Sequence, residues 1–481
     1  MPGNVDSPEP ILVLRPLRPE PNGDSFLRRF VQFVTMFGLV FLLIRTVVIE
    51  PFGVSTGSMA TTILGNRKQA YCPRCGAEIV VGTPEEHRGG MHPQAEVTCW
   101  NCGLDRLDML TDSPGDVQGD RFLVDKLIYR LRDPARWEVA VFHGPVDDRK
   151  PYVKRVLGLP GEDFRLFDGD AYADGTLLRK NLPQLSEMMV QVFDLAHPPQ
   201  PSGWGLRFDV PDAVQDDRLR LDGTTTPASV QYIHRDVDTG KPDVVRDRLG
   251  YNGGSLRREW LPVHDFVLTC ELEALAGNGV FELRLTDSAN TAVLQVPIGA
   301  TGQPCRLGVD GGEQQQCADV EPLRLGQRVA VEFAFADRRV QASIAGRVLR
   351  CRIDLPALPT TLPTDPAAKR RGTAKPFALS AAGVSVVVHR LQLHRDVYYR
   401  TGDDGCRNAT QAALHLNAGE YFLCGDNSAS SYDSRLWEVP AVQRNAFLGK
   451  PFFRHQPLKQ AIVPGLGAVQ QLDWNRLKFL E

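Results

Sequence analysis

The first 25 residues are polar and rich in Pro and Arg, and the chain then turns apolar. From Phe30 to Ile49 it reads FVQFVTMFGLVFLLIRTVVI, 20 residues that would span about 30 Å as a helix. Gln32 and Thr35 interrupt the run, and Arg45 lies near enough to its end to snorkel toward headgroups. Arg15, Arg18, Arg28 and Arg29 precede the span, whereas the next basic residue after Arg45 is Arg67. The asymmetry predicts a cytoplasmic N-terminus and everything after Glu50 on the outer side. A cleaved leader normally has a shorter apolar core, so the expected element is an uncleaved single-pass anchor.

A different period governs the middle of the chain. Val267 to Leu275, Val280 to Thr286, Ala292 to Val296, Val329 to Phe335, Val340 to Ile344 and Val384 to Leu393 mostly alternate or are β-branched, which predicts strands. Asp337-Arg338-Arg339 separates two of them as a hairpin loop would. Short strands at such spacing predict a β-sandwich over about 260–400. Leu355 to Lys375, rich in Pro and Thr, reads as a long loop, and Cys305 and Cys317 are candidates for a disulfide.

Composition narrows the class. With 42% hydrophobic and 23% charged residues in 481, the chain can bury a large core and holds several domains. The net charge of −3 leaves no global footprint for nucleic acid, and no nucleic-acid partner is expected. Ten cysteines are too few for a disulfide scaffold.

Three polar segments stand out from this background. Directly after the apolar span comes Pro51-Phe52-Gly53-Val54-Ser55-Thr56-Gly57-Ser58-Met59, small hydroxyl and glycine residues suited to a tight turn. Taken alone it reads as a loop, because no Gly-x-Ser-x-Gly elbow surrounds the serine. Tyr152 to Glu162 places Lys154 in an alternating run that ends in Gly158-Leu159-Pro160-Gly161. A strand lysine usually faces solvent, and it serves as a general base only where burial depresses its pKa. The third segment, Gly425 to Arg435, reads GDNSASSYDSR; its plain reading is a capped turn with an Asp–Arg ion pair.

In order behind an anchor, these segments resemble the type I signal peptidases, membrane-anchored serine endopeptidases. The matches are Arg45-Thr46 with Pro51-Phe52, Thr56-Gly57-Ser58-Met59, Gly119-Asp120 through Lys126, Lys154-Arg155-Val156 with the following Gly-Leu-Pro-Gly, and Gly425-Asp426-Asn427 with Ser431, Asp433, Ser434 and Arg435. The resemblance covers roughly 28–65, 116–182 and 417–455, well under half the chain. It implies a serine–lysine dyad, with Ser58 as nucleophile and Lys154 as general base. It also implies an oxyanion site made of the Ser58 N–H and the Thr56 hydroxyl, where the family usually has serine. Ser431 would orient the lysine, Asp433 and Arg435 would pair, and Gly425 and Asp426 would be structural. Arg155 would help keep Lys154 neutral by like-charge proximity. Lys126 is the rival base. Ala60-Thr61-Thr62 and Glu438 depart from the family's usual residues and bear on the substrate groove. The implied substrates are exported preproteins, cut after small residues at −3 and −1 beside the lipid bilayer of the cytoplasmic membrane. No cofactor is implied for catalysis.

Two stretches interrupt this pattern. Cys72-Pro73-Arg74-Cys75-Gly76 and Cys99-Trp100-Asn101-Cys102-Gly103, with 23 residues between Cys75 and Cys99, look like a zinc ribbon whose four thiolates hold a structural zinc. Two disulfides are the alternative on an oxidising side of a membrane. The β-rich stretch faintly resembles a concanavalin-type jelly roll, for which an envelope or protein ligand and an inert spacer are both open. The expected class is mainly β. Its parts are a tail (1–29), an anchor (30–49), core segments at 50–68, 116–182 and 401–465, the ribbon (69–110), the inserted domain (183–400) and a C-terminal tail (466–481). The rival readings are a catalytically inactive, membrane-anchored binding protein using the sandwich, and a self-cleaving repressor-type protease.

Overall fold

The computed structural model describes residues 26–83, 96–104, 107–108, 113, 115–145, 150–199, 207–215, 217–236, 239–253, 260–357, 372–402, 405–463 and 467–480. Two compact units divide the chain at Ile49/Glu50. The first holds a helix over Phe26–Leu43 that continues as a π-helical turn over Ile44–Val48. At 23 residues it is long and apolar enough to cross a membrane. None of the residues from Phe26 to Leu43 is buried, and apolar side chains project on every side, the pattern of a helix whose solvent is lipid.

The second unit is mainly β. Its core sheet runs, in spatial order, Arg121–Asp125, Phe447–Gln456, Val139–His143, Pro151–Gly158, Glu420–Cys424 and Val442–Gln443. The pairings among these strands are antiparallel. Strand Pro151–Gly158 is central and is buried on both faces from Lys154 onward. Because side chains alternate along a strand, Lys154 and Arg155 leave it on opposite faces. Met59 and Ile63, just past Ser58, are buried with Phe122, Val124, Val139 and Val141. That packing holds the serine's loop against the sheet. The last residues are more than a tail: Gly467–Leu472 pairs with Leu458–Val463, and Lys478–Phe479 pairs with the core strand Phe447–Gln456.

The inserted sheet is built on two long strands, Phe266–Thr286 and Phe377–Arg395, that pair with each other along most of their length. The two strands expected at 267–275 and 280–286 are one strand of 21 residues. Its positions in the main core are even-numbered from Phe266 to Ala274 and odd-numbered from Phe281 to Leu285, while Val267 is buried in a separate cluster with Leu182 and Leu185. Register shifts between Ala274 and Val280 change the parity, so both halves face one core. Gly277, at φ +90°, sits where the strands touch; a Cβ there would lie 2.2 Å from the Gly383 carbonyl oxygen. The sheet also takes in Val190–Asp194, Arg218–Asp222 and Ala228–Gln231, upstream of the expected start near 260. Asp337 and Arg338, both at positive φ, close a two-residue hairpin between Arg328–Ala336 and Arg339–Ile344.

The Cys305–Cys317 disulfide does not form. Cys317 is bonded to Cys351, and Cys305 stands opposite Cys317 in the strand ladder as a buried thiol. Both cysteines are buried and adjacent in the ladder, but the partner that Cys317 takes, Cys351, lies outside the strands. Most of the loop expected over Leu355–Lys375 lies outside the described residues.

Candidate active site

Lys154 Nζ donates to Ser58 Oγ at 2.5 Å. The lysine is only 3% exposed, while Ser58 is half-buried. Burial pushes the Lys154 pKa down from 10.5 to about 8, against the opposing pull of Asp433 and Cys424. The guanidinium that lowers it further is that of Arg435. Arg155 does not bear on the lysine in the expected way. Its side chain leaves the opposite face of the strand, where it donates to the Trp137 carbonyl and pairs with Asp426.

The loop from Gly425 to Arg435 closes the site from above. Asp433 accepts from Arg435 Nε and Nη2 at 2.9 and 2.7 Å and from the Gly425 N–H at 3.0 Å. Burial alone would raise the Asp433 carboxyl; the Arg435 charge outweighs it and holds the carboxyl below its ordinary range. Gly425 has no room for a side chain: a Cβ would fall 2.3 Å from both the Ser58 carbonyl oxygen and Ser431 Oγ. Ser431 is buried, and its Oγ finds no hydrogen-bond partner among the described residues, Lys154 included. Thr56 is exposed two residues before Ser58. Lys126 is far more open than Lys154 and pairs with Glu50 at 2.9 Å.

Two residues of the loop make contacts that their place in a motif did not reveal. Asp426 holds Arg155 and also accepts from Thr62 Oγ1 at 2.6 Å. Asn427 donates to the carbonyls of both Gly57 and Ser58. Behind them Asp120, fully buried, is ringed by Arg67, Arg454 and Arg476 and accepts from the Leu64 N–H.

The four ribbon cysteines are buried thiols whose sulfurs all lie within 4.8 Å of one another. Cys72 Sγ is 3.6 Å from Cys102 Sγ, and Cys75 Sγ is 3.7 Å from Cys99 Sγ. Zn–S bonds of about 2.3 Å in a tetrahedron put sulfurs about 3.8 Å apart, so the set fits zinc. The N–H groups of Gly76 and Gly103 donate to the carbonyls of Cys72 and Cys99, forming two matching knuckles.

A family described as "Signal peptidase, peptidase S26" matches residues 111–202 and 386–456. The matched segments contain Lys154, Arg155 and the whole Gly425–Arg435 loop. Over these segments the chain is similar to the S26 signal peptidases. Among its S26 relatives it is 41% identical over 68 residues to a probable signal peptidase I-2 of Synechocystis sp., 13% of this chain and 31% of that protein. It is 29% identical over 131 residues to a signal peptidase I of Rickettsia akari, 27% of this chain and 37% of that protein. The chain thus spans about a third of the length of these two curated relatives. Among solved structures, a carbohydrate-binding module, CBM66 from Bacillus subtilis, aligns over 37% of this chain and 84% of its own at 12% identity. Its TM-score of 0.22 is too low to carry a fold or ligand assignment.

Proposed function

We propose that the protein is a membrane-anchored signal peptidase I that removes signal peptides from exported preproteins after small residues. The observation that carries this reading is the 2.5 Å contact between a buried lysine amine and the hydroxyl of a half-buried serine. In the proposed reaction, neutral Lys154 takes the Ser58 proton as Oγ bonds to the scissile carbonyl carbon. The oxyanion accepts hydrogen bonds from the Ser58 N–H and the Thr56 hydroxyl. As the C–N bond breaks, the Lys154 ammonium passes its proton to the leaving amine, and an ester to Ser58 remains. Lys154 then takes a proton from water; the resulting hydroxide displaces Oγ, which regains the proton. Asp433 and Arg435 keep the lysine's surroundings fixed, and Arg435 opposes its protonation.

The apolar helix supports a single-pass anchor in the cytoplasmic membrane, with the catalytic unit on the outer side. The Cys317–Cys351 disulfide supports an oxidising compartment for that unit. Cys72, Cys75, Cys99 and Cys102 would hold a zinc ion whose role is structural. The deciding experiment is cleavage of a preprotein with an Ala-x-Ala site by detergent-solubilised protein, wild type beside Ser58→Ala. Cleavage after the second alanine by wild type alone is the expected result. A folded wild type that cuts nothing would overturn the reading in favour of a binding protein.

A further inference from the structure

The loop that carries Ser58 is held by Asn427 and, behind it, by Asn252, which no motif marks. Asn427 donates through its backbone N–H to the Ser58 carbonyl at 3.0 Å, and through Nδ2 to the Gly57 carbonyl at 3.0 Å. The Gly57 carbonyl and the Ser58 N–H belong to one planar peptide unit. Whatever orients the Asn427 carboxamide therefore also orients the Ser58 N–H. That carboxamide is held by Asn252: Asn427 Nδ2 donates to Asn252 Oδ1 at 2.7 Å, and Asn252 Nδ2 donates back to Asn427 Oδ1 at 2.8 Å. Both side chains are buried, Asn252 completely, so a lost partner leaves polar atoms unpaired away from water.

Asn252 closes a 3₁₀ turn over Gly250–Asn252 that is itself pinned to the catalytic core. Tyr251 OH donates to the Asn66 carbonyl at 3.1 Å, and just upstream Asp247 pairs with Arg400 at 2.6 Å. The family match skips residues 203–385, so this turn comes from chain outside the matched segments.

We propose that Asn252 is a positioning residue for the nucleophile, acting through Asn427, and that the insertion thereby completes the active site; this rests on the serine–lysine reading above. The Asn252–Asn427 pair aims the peptide unit whose N–H receives the oxyanion. Loosening it misdirects a donor that matters in the transition state and leaves substrate pockets alone.

Asn252→Leu keeps the side-chain volume and removes both hydrogen bonds. For the full chain in detergent with an Ala-x-Ala preprotein, kcat is expected to fall about 10- to 100-fold while KM changes less than about 2-fold. In an Asn427→Ala background the same substitution is expected to leave kcat unchanged, because its route is already cut. Hydrogen exchange at the Asn427 backbone amide, read on a peptide spanning 425–431, is expected to accelerate in Asn252→Leu whether or not the protein cuts substrate. A wild type that cuts nothing thus overturns the peptidase reading alone, and exchange still decides the clamp. Wild-type kcat in Asn252→Leu, an equal proportional loss in the Asn427→Ala background, or unchanged exchange overturns the clamp. If Asn252→Leu does not fold, Asn252→Asp, which keeps the acceptor and loses the donor, replaces it. A smaller kcat loss at unchanged KM is then expected, and wild-type kcat again overturns the proposal.

Discussion

Arg155 and Asp426 meet as a buried bidentate pair, Nε to Oδ1 at 2.8 Å and Nη2 to Oδ2 at 2.7 Å, each side chain 1% exposed. The pair joins the lysine's strand to the Gly425–Arg435 loop, and Thr62 ties the serine's loop to the same carboxylate. Removing one member of such a pair leaves a buried charge uncompensated, which typically costs about 3–5 kcal/mol. Asp426→Ala is therefore expected to lose stability in that range by denaturant unfolding. Replacing both residues by apolar ones is expected to cost less than the sum of the single losses. Additive losses would mean that the pair holds nothing together.

In the proposed reaction Lys154 sets the pH dependence. Only its neutral form can take the Ser58 proton, and its pKa stands at about 8. kcat/KM is expected to rise with pH through about 8 and to be about a tenth of its plateau at pH 7. A profile measured from pH 6 to 10 checks this, and a flat one excludes Lys154 as the base.

The same shift predicts a stability effect of opposite sense to the catalytic one. Folding lowers this pKa from 10.5, so the unfolded chain binds more protons between about pH 8 and 10.5. The penalty for burying the charged amine is complete below about pH 8 and fades as pH rises to 10.5. Lys154→Met is expected to be inactive yet more stable at pH 7, by on the order of 3 kcal/mol, with the gap closing above pH 10. Thermal unfolding at pH 7 and 10.5 reads both points; a destabilised variant at pH 7 would contradict the assigned burial cost.

Metal removal should reach further than the ribbon. Asn101, between Trp100 and Cys102, exchanges hydrogen bonds with Asp194 at 3.0 and 3.2 Å, linking the ribbon to the inserted sheet. Native mass spectrometry is expected to find one zinc per chain, and Cys72→Ser to abolish it and lower the unfolding temperature by several degrees. A metal-free protein with four titratable thiols and an unchanged Tm would exclude the zinc.

Features written in short stretches of chain were legible in the sequence. The apolar span, the mainly β class, and the serine, lysine and Gly-Asp-Asn segments each depend on near neighbours. Features that join distant residues were not. Arg155 sits beside Lys154 in sequence, yet strand alternation sends it to the opposite face and to Asp426. Cys317 is bonded to Cys351, 34 residues on and outside the strands, although Cys305 is its neighbour in the ladder; no local pattern encodes that choice. Bulges near Gly277 merged two expected strands into one, since a parity change looks like a break when read residue by residue. Asn252 carried no signal at all: a lone asparagine in a turn looks like any other, and its partner lies 175 residues away.

That separation has a consequence for when the enzyme comes to life. Ser58 leaves the ribosome early, Lys154 soon after, but Asn252 and then Asn427 follow only much later. Until they arrive, the Gly57 carbonyl has the local Ala60 N–H but lacks the Asn427 carboxamide, so the proposed clamp on the Ser58 peptide is incomplete. Under the proposed reading, the order of synthesis thus delays completion of the site until Asn252 and Asn427 have both been made.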